Sequence, residues 1–120
     1  MAETTDKILM RLLNNIIIKG HEHIIAHFHD RGEVFRYIED KQKPALIEID
    51  KVCRMHFAKV KGVQKDAFKE ILEQVAAYNA IIDLILKDPE KNSLLNSSIE
   101  NMNDAYEKLK DAMEKYKRYL

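Results

Sequence analysis

The feature that most constrains the fold is a run of apolar residues near the C-terminus that recurs in alternating steps of four and three. Such a heptad pattern places the apolar side chains on one face of an α-helix, and another helix must cover that face. The run, here called the heptad stripe, consists of Leu95, Ile99, Met102, Tyr106, Leu109, Met113, Tyr116 and Leu120. The sequence therefore predicts a long C-terminal helix packed against at least one other helix.

Earlier segments of the chain also show the periodicity of an α-helix. The first follows N-cap candidates at residues 4–6, and we expect it to continue through Gly20 to about His29. Gly20 weakens a helix by about 1 kcal/mol relative to alanine without forbidding it. The other expected helices are a short accessory one at 33–39, one at 44–61 that starts with Pro44, and one at 63–86.

The composition agrees with a helical protein. The chain has 46% hydrophobic and 33% charged residues but only three glycines and two prolines, too few for the turns of a many-stranded sheet. A length of 120 residues is typical of one domain. We therefore predict a single all-α domain over residues 1–120. Its expected architecture is an antiparallel bundle of about four main helices, with a short accessory helix and the heptad-patterned C-terminal helix.

Charge and cysteine content limit the partners and the compartment. Twenty basic and twenty acidic residues cancel, so no overall field favours nucleic acid or an anionic membrane as a partner. The apolar stretch Val75–Leu86 is shorter than the ~20 residues that a membrane span needs. Cys53 is the only cysteine, and the first residues lack the pattern of a secretory signal. We expect a cytoplasmic protein.

Four of the five histidines lie in the stretch GHEHIIAHFHD, residues 20–30. If the first helix keeps its phase through Gly20, His23 and His27 replace apolar residues on its buried face, and His21 and His29 point toward the flank and solvent. The predicted buried stripe is Leu9, Leu13, Ile16, Gly20, His23 and His27. Only the inward pair is then a candidate site.

His23 and His27 are one helical turn apart, a spacing at which two imidazoles can chelate one Zn, Ni or Cu ion. Cys53 and His56, on the inward stripe of the helix at 44–61, would complete the ligand set if that helix packs antiparallel to the first. The favoured interpretation is simpler: both histidines are neutral residues at the core edge, each with a hydrogen bond. Paired CxxC, HExxH and paired Glu-x-x-His motifs are missing, so we expect no resident cofactor. Protonation of the two histidines as a pH sensor is a further alternative.

No motif in the chain carries catalytic chemistry. There is no glycine-rich phosphate loop and no serine nucleophile elbow, and the spacing of Cys53 and His56 is ordinary for a helix core. We therefore expect a non-enzymatic protein–protein interaction module, such as a small adaptor, chaperone or regulator, and a metal-binding or metal-sensing bundle is the alternative. A helix-turn-helix DNA binder around Gly62 is a weaker option that the balanced charge disfavours.

The C-terminal helix is the expected place of contact with a partner. Its heptad pattern favours self-association as a homodimer, and so does the second half of the helix at 63–86, which is apolar almost all round. Asn79, in the middle of that helix, is a candidate for fixing register. The predicted interface residues are Tyr106, Leu109, Met113 and Tyr116.

Overall fold

The computed structural model of the chain describes residues 4–87 and 93–120, with side chains from residue 96 onward in the last helix. Every regular element in these residues is a helix, so the predicted all-α class is confirmed. The elements are α1 (Thr5–Leu13), α2 (Lys19–Ala26), α3 (Arg31–Tyr37), α4 (Lys43–Phe57), α5 (Val63–Leu86) and α6 (Ser93–Lys117). None of the described helices is long and apolar enough to cross a membrane.

Two π-helical segments join neighbouring helices without a break. The first π segment, Asn14–Ile18, connects α1 to α2, and the second, Ile38–Gln42, connects α3 to α4. The first helix therefore continues through Gly20, as predicted, and ends at Ala26. The predicted break between an accessory helix and a helix starting at Pro44 is wrong. Pro44 has no N–H for the helical ladder, and it follows the π segment, where that ladder is already interrupted.

Local capping explains where α1 and α3 begin. The Thr4 hydroxyl accepts a hydrogen bond from the Lys7 N–H at 3.3 Å, and the Asp30 carboxylate accepts one from the Glu33 N–H at 3.2 Å. Both bonds satisfy N–H groups that have no partner inside the helix. Gly62, before α5, has φ of 68°, a left-handed conformation that suits glycine.

The most extensive packing joins α5 to α6, and α4 packs against α5. The first turns of α5 lie beside the last turns of α6: the Gln64 side-chain amide donates to the Tyr119 carbonyl at 3.1 Å. The rings of Phe68 and Tyr116 meet edge to face with centroids 5.1 Å apart. Side chains from all six helices enter the same buried core.

The middle of the heptad stripe, from Met102 to Tyr116, packs within the same chain, where α5 is the main neighbour of α6, and Leu120 at its end is exposed. Leu109, Met113 and Tyr116 are buried in the core and Tyr106 is half-buried, so the prediction that these four form an interface with a partner needs correction. The reason is that α5 supplies an apolar face of matching length, which satisfies the stripe within the chain. The side chain of Leu95, the first stripe residue, lies outside the described residues.

The first π segment changes which face of the helix is buried. Buried residues follow at steps of four, four, four and three, whereas one stripe on an α-helix needs alternating fours and threes. A π turn takes up one extra residue and so restores the alignment. The buried residues at these steps are Leu9, Leu13, Ile17, His21 and Ile24, and Met10, Ile18 and Gly20 beside them are buried too.

The phase predicted for the histidines is therefore wrong by one residue, although Gly20, also predicted to be buried, is buried. Ile17 is fully buried and Ile16 only partly, and His21 is buried, whereas His23 and His27 are partly exposed. His29 is exposed, as predicted. The second π segment makes the same adjustment in the next helix. The buried residues of that helix that follow one another at these steps are Val34, Ile38, Gln42, Leu46, Ile49 and Cys53, and Phe35 beside them is also buried.

Candidate functional site

His21 in α2 is the most deeply buried histidine, with 1% of its surface exposed. Its Nε2 lies 2.7 Å from Oδ1 of Asn103 in α6, and its Nδ1 lies 2.9 Å from the hydroxyl of Tyr78 in α5. An amide oxygen only accepts, so Nε2 carries the proton and Nδ1 accepts from the Tyr78 hydroxyl. We call this chain of hydrogen bonds, Tyr78 to His21 to Asn103, the His21 relay.

The His21 relay is packed against the Tyr106 ring, and burial keeps it in one protonation state. The Tyr106 ring stacks on the imidazole with centroids 4.4 Å apart. Burial lowers the pKa of His21, and the hydrogen bond to Asn103 and the carboxylates of Glu107 and Glu22 oppose this effect without reversing it. Burial also raises the pKa of Tyr78, so its hydroxyl stays a donor. His21 is therefore neutral around pH 7.

A groove opens over His21 between α2 and α6, with a volume of about 350 Å³. Ile25, which is 42% exposed, forms its apolar side together with Ala26 and the Tyr106 ring. One carboxylate from each helix stands at the groove, Glu22 from α2 and Glu107 from α6. We call it the His21 groove; its lining is His21, Glu22, Ile25, Ala26, Asn103, Tyr106 and Glu107.

This lining suits a side chain with an apolar body and a polar end. Asn103 uses its oxygen for His21, and its two N–H donors have no partner in the described part of the chain. The groove therefore combines an apolar wall with the amide donor of Asn103 and two carboxylates that can form ion pairs with a cation.

The predicted metal ligands His23 and His27 lie together, but as stacked rings. Their centroids are 4.1 Å apart, and Nδ1 of His27 donates to the His23 carbonyl at 2.9 Å. The other face of His23 stacks on Tyr37, again at 4.1 Å, and its Nε2 is 3.8 Å from the Glu33 carboxylate. Face-to-face imidazoles direct their nitrogens side by side and not toward one shared point.

The predicted ligand His56 belongs to a different cluster. Its Nε2 lies 2.6 Å from Oδ1 of Asp6 in the first turn of α1, and the Tyr116 hydroxyl donates to the same carboxylate oxygen. The edge of the His56 ring meets Phe68 at 5.2 Å between centroids. We call Asp6, His56 and Tyr116 the Asp6 network; it joins the start of α1 to the ends of α4 and α6.

Cys53 is fully buried in α4, and burial raises the pKa of its thiol to about 12. The structure thus leaves the stacked pair His23 and His27, the Asp6-bound His56 and the buried Cys53 in three different surroundings. Residues 4–87 and 96–120 contain no group of three or more His, Cys, Asp or Glu placed to hold a metal ion. The predicted set was His23, His27, Cys53 and His56.

Sequence reasoning missed all three members of the His21 relay. Periodicity did not place His21 on the buried face, because the first π segment shifts the phase of the helix by one residue. The burial of Tyr78 was not predicted because α5 contains two overlapping four-three patterns of apolar residues. The pattern that is buried includes Tyr78 in place of Asn79. Asn79 instead accepts a hydrogen bond from the Lys43 ammonium at 2.7 Å, and that ammonium also pairs with Asp83 at 2.6 Å. The buried pattern is Phe68, Ile71, Val75, Tyr78, Ile82 and Ile85.

The described part of the chain is thus an all-helical protein with a buried histidine relay beneath an open groove. A scan against protein-family models, a search of the curated proteins and a search of solved structures each find no match. What the chain does must therefore be inferred from its own residues.

Proposed function

We propose that the chain is a non-enzymatic helical module that binds a partner protein through the His21 groove. The observation that supports this function best is the combination of a buried polar relay with an open, mostly apolar groove above it. Interfaces use such clefts to bind a protruding anchor side chain, and contacts of this kind dominate binding energy. The relay holds α2, α5 and α6 in the arrangement that shapes the groove.

The state of the reactive groups supports a non-enzymatic role. Both nitrogens of His21 are already bonded, so the imidazole can accept a proton from a ligand only by breaking the relay. Cys53 is buried with a thiol pKa of about 12, far from the range of a nucleophile. His56 is engaged by Asp6 and packs against Phe68.

The setting that we propose is an antiparallel bundle in the cytoplasm. The contact of Gln64 with Tyr119 and of Phe68 with Tyr116 supports opposite directions for α5 and α6. A lone buried cysteine suits a reducing compartment. Self-association has less support than the sequence suggested, because Met102, Leu109, Met113 and Tyr116 of the heptad stripe are buried within the chain. Exposed apolar side chains such as Val63 and Leu84 on α5 are what it could use.

A selection of peptides tests this function. The purified protein is immobilised and screened with a phage-displayed library of random peptides, and selected peptides are then titrated into ¹⁵N-labelled protein. We expect the amide resonances of Ile25, Ala26 and Glu107 to shift most.

Groove-filling variants provide the control. Ala26→Phe places a ring in the groove and should abolish peptide binding, whereas Ala80→Phe, at an exposed position of α5, should leave it unchanged. Absence of any selected peptide that shifts these resonances would refute the proposed function, and so would equal binding by the two variants.

A further inference from the structure

We infer that the His21 groove accepts an arginine side chain of the partner, an inference that rests on the proposed function. The methylene stem would lie on Ile25 and the guanidinium over the Tyr106 ring, between the carboxylates of Glu22 and Glu107. The groove lies between two helices and is lined by one helical turn of α2, so it suits one anchor side chain and not a whole helix.

The charges at the groove favour a cation. Neither Glu22 nor Glu107 makes an ion pair with a residue of the described ranges. Both carboxylates line the groove. Both also favour positive charge nearby: they oppose the larger effect of burial, which lowers the pKa of His21, and they contribute, after Tyr106, to the raised pKa of Lys110. A positive group placed between them meets two negative charges, one from each side.

The Tyr106 ring already attracts a cation within the chain. The Lys110 ammonium lies over this ring, 5.1 Å from its centroid. Its position shows that the ring face is accessible to positive charge, and the exposed Lys110 side chain has room to move away.

Arginine fits this combination better than lysine. Its guanidinium is planar, stacks on aromatic faces and presents several N–H donors, so it can bridge two carboxylates while it covers a ring. Its stem packs on apolar surface while the charged end stays near solvent. The ammonium of lysine is a strongly hydrated point charge and matches only part of this lining.

A titration with single amino-acid derivatives tests the inference directly. N-acetyl-arginine amide is added to ¹⁵N-labelled protein, and N-acetyl-citrulline amide, which has nearly the same shape without the charge, serves as the matched probe. We expect N-acetyl-arginine amide to shift the amide resonances of Glu22, Ile25, Ala26 and Glu107. The corresponding lysine derivative, N-acetyl-lysine amide, should shift them less, and N-acetyl-citrulline amide should leave them in place.

Charge variants provide the second measurement. Glu22→Gln and Glu107→Gln should each weaken arginine binding about two- to threefold, the range of a single exposed ion pair, and the double variant about five- to tenfold. Lys110→Gln removes a like charge and should strengthen binding about twofold. Glu48→Gln, on the exposed face of α4, should change nothing. All four sites are exposed, and an unchanged spectrum of the free variant confirms that it is folded.

The outcomes separate this inference from the proposed function. Equal shifts with citrulline and arginine overturn the arginine assignment, and so does binding that is unaffected by the glutamate variants. If selected peptides still bind and Ala26→Phe still blocks them, the groove remains a docking site with a different anchor. If neither the peptides nor the arginine derivative shifts the groove resonances, both proposals fail.

Discussion

His21 connects three helices through one side chain. Its ring belongs to α2, its Nδ1 bonds to Tyr78 in α5, and its Nε2 bonds to Asn103 in α6. A buried imidazole with two partners is satisfied in one orientation only, so any relative shift of these helices breaks at least one bond. At the scale of single residues, His21 therefore determines the geometry of the groove above it.

Replacement of His21 tests its contribution to stability. His21→Leu keeps an apolar volume of similar size but leaves the Tyr78 hydroxyl buried without an acceptor. We expect the free energy of unfolding to fall by roughly 2 kcal/mol, the cost of an unsatisfied buried polar group. Urea denaturation measures the change, and His29→Leu, at an exposed position, serves as the control with no comparable loss.

The difference in the free energy of unfolding between the protein and His21→Leu should depend on pH in a definite direction. Because burial lowers the pKa of His21 below its ordinary value of 6.5, the unfolded chain binds a proton more readily than the folded protein does. The stabilisation by neutral His21 is complete above pH 6.5 and declines as the pH falls below it. We expect the stability gap between the protein and His21→Leu to narrow on acidification; a gap that widens would contradict the assignment of neutral His21.

Gly20 marks a close approach between α2 and the second π segment. A Cβ at this position would lie 2.3 Å from the side-chain oxygen of Gln42, which is only 2% exposed and has little room to move. Gly20→Ala should therefore lower the free energy of unfolding by about 1 kcal/mol, because overpacking outweighs the better helix propensity of alanine. Gly32→Ala in the first turn of α3, where the nearest atom to a Cβ would be an Asp30 oxygen 3.7 Å away, should instead raise it by up to about 1 kcal/mol.

A double variant decides whether Gln42 causes this cost. Gln42 Nε2 has no hydrogen-bond partner among the described residues, so truncation of this side chain sacrifices little bonding. Gly20→Ala in the background of Gln42→Ala should no longer destabilise the protein. A loss of the same size in both backgrounds would place the clash elsewhere.

At the scale of elements, the sequence predicted the helices better than their buried faces. Apolar periodicity indicated the helical segments, and the continuous helix through Gly20 is confirmed. The assignment of His23 and not His21 to the buried face failed because periodicity assumes a constant 3.6 residues per turn, which the first π segment does not have. Periodicity also does not decide whether Tyr78 or Asn79 is buried, because α5 offers two patterns of nearly equal apolarity and only packing against α4 and α6 selects one of them.

Deletion of one residue tests the role of the first π segment. If the segment absorbs one surplus residue, removal of exposed Asn15 should convert it to α-helix and keep Leu13, Ile17 and His21 buried. We expect cooperative unfolding and a change in the free energy of unfolding of no more than about 1 kcal/mol, the centre of the range for single substitutions in general. Circular dichroism with urea denaturation measures both.

Deletion within a regular helix is the matched control. Removal of exposed Glu48 from α4 rotates the residues on one side of the deletion by about 100° relative to those on the other. Ile49 and Cys53 would then leave the core, and the variant should fail to fold. If both deletions are equally harmful, the π segment is not a register adjustment.

At the scale of the whole molecule, two polar clusters tie the helices together through α6. The His21 relay joins α6 to α2 and α5, and the Asp6 network joins the end of α6 to the start of α1 and the end of α4. Long-range pairings of this kind, such as Asp6 with Tyr116, carry no local sequence signal. The sequence therefore predicted the all-helical class but not which polar residues connect the helices.

The Asp6 network predicts a specific effect at Tyr116. Burial raises the pKa of this tyrosine, so its hydroxyl stays protonated and donates to Asp6. Tyr116→Phe removes this bond but leaves His56 on Asp6, and we expect a loss of about 1 kcal/mol in the free energy of unfolding. Thermal and urea denaturation should show this loss for Tyr116→Phe and none for Tyr119→Phe, whose ring is 46% exposed; equal effects would exclude a role for the bond.

The two π segments also bear on how this chain would be compared with homologues. Each holds one residue more than a regular helix needs, so loss of that residue would leave a regular helix in which the core contacts on both sides persist. A homologue without that residue would align only if a single-residue gap were opened inside a continuous helix, where alignment methods penalise gaps most. Profiles built with gaps allowed at 14–18 and 38–42 should therefore detect distant members of this lineage that an ungapped helical alignment would miss.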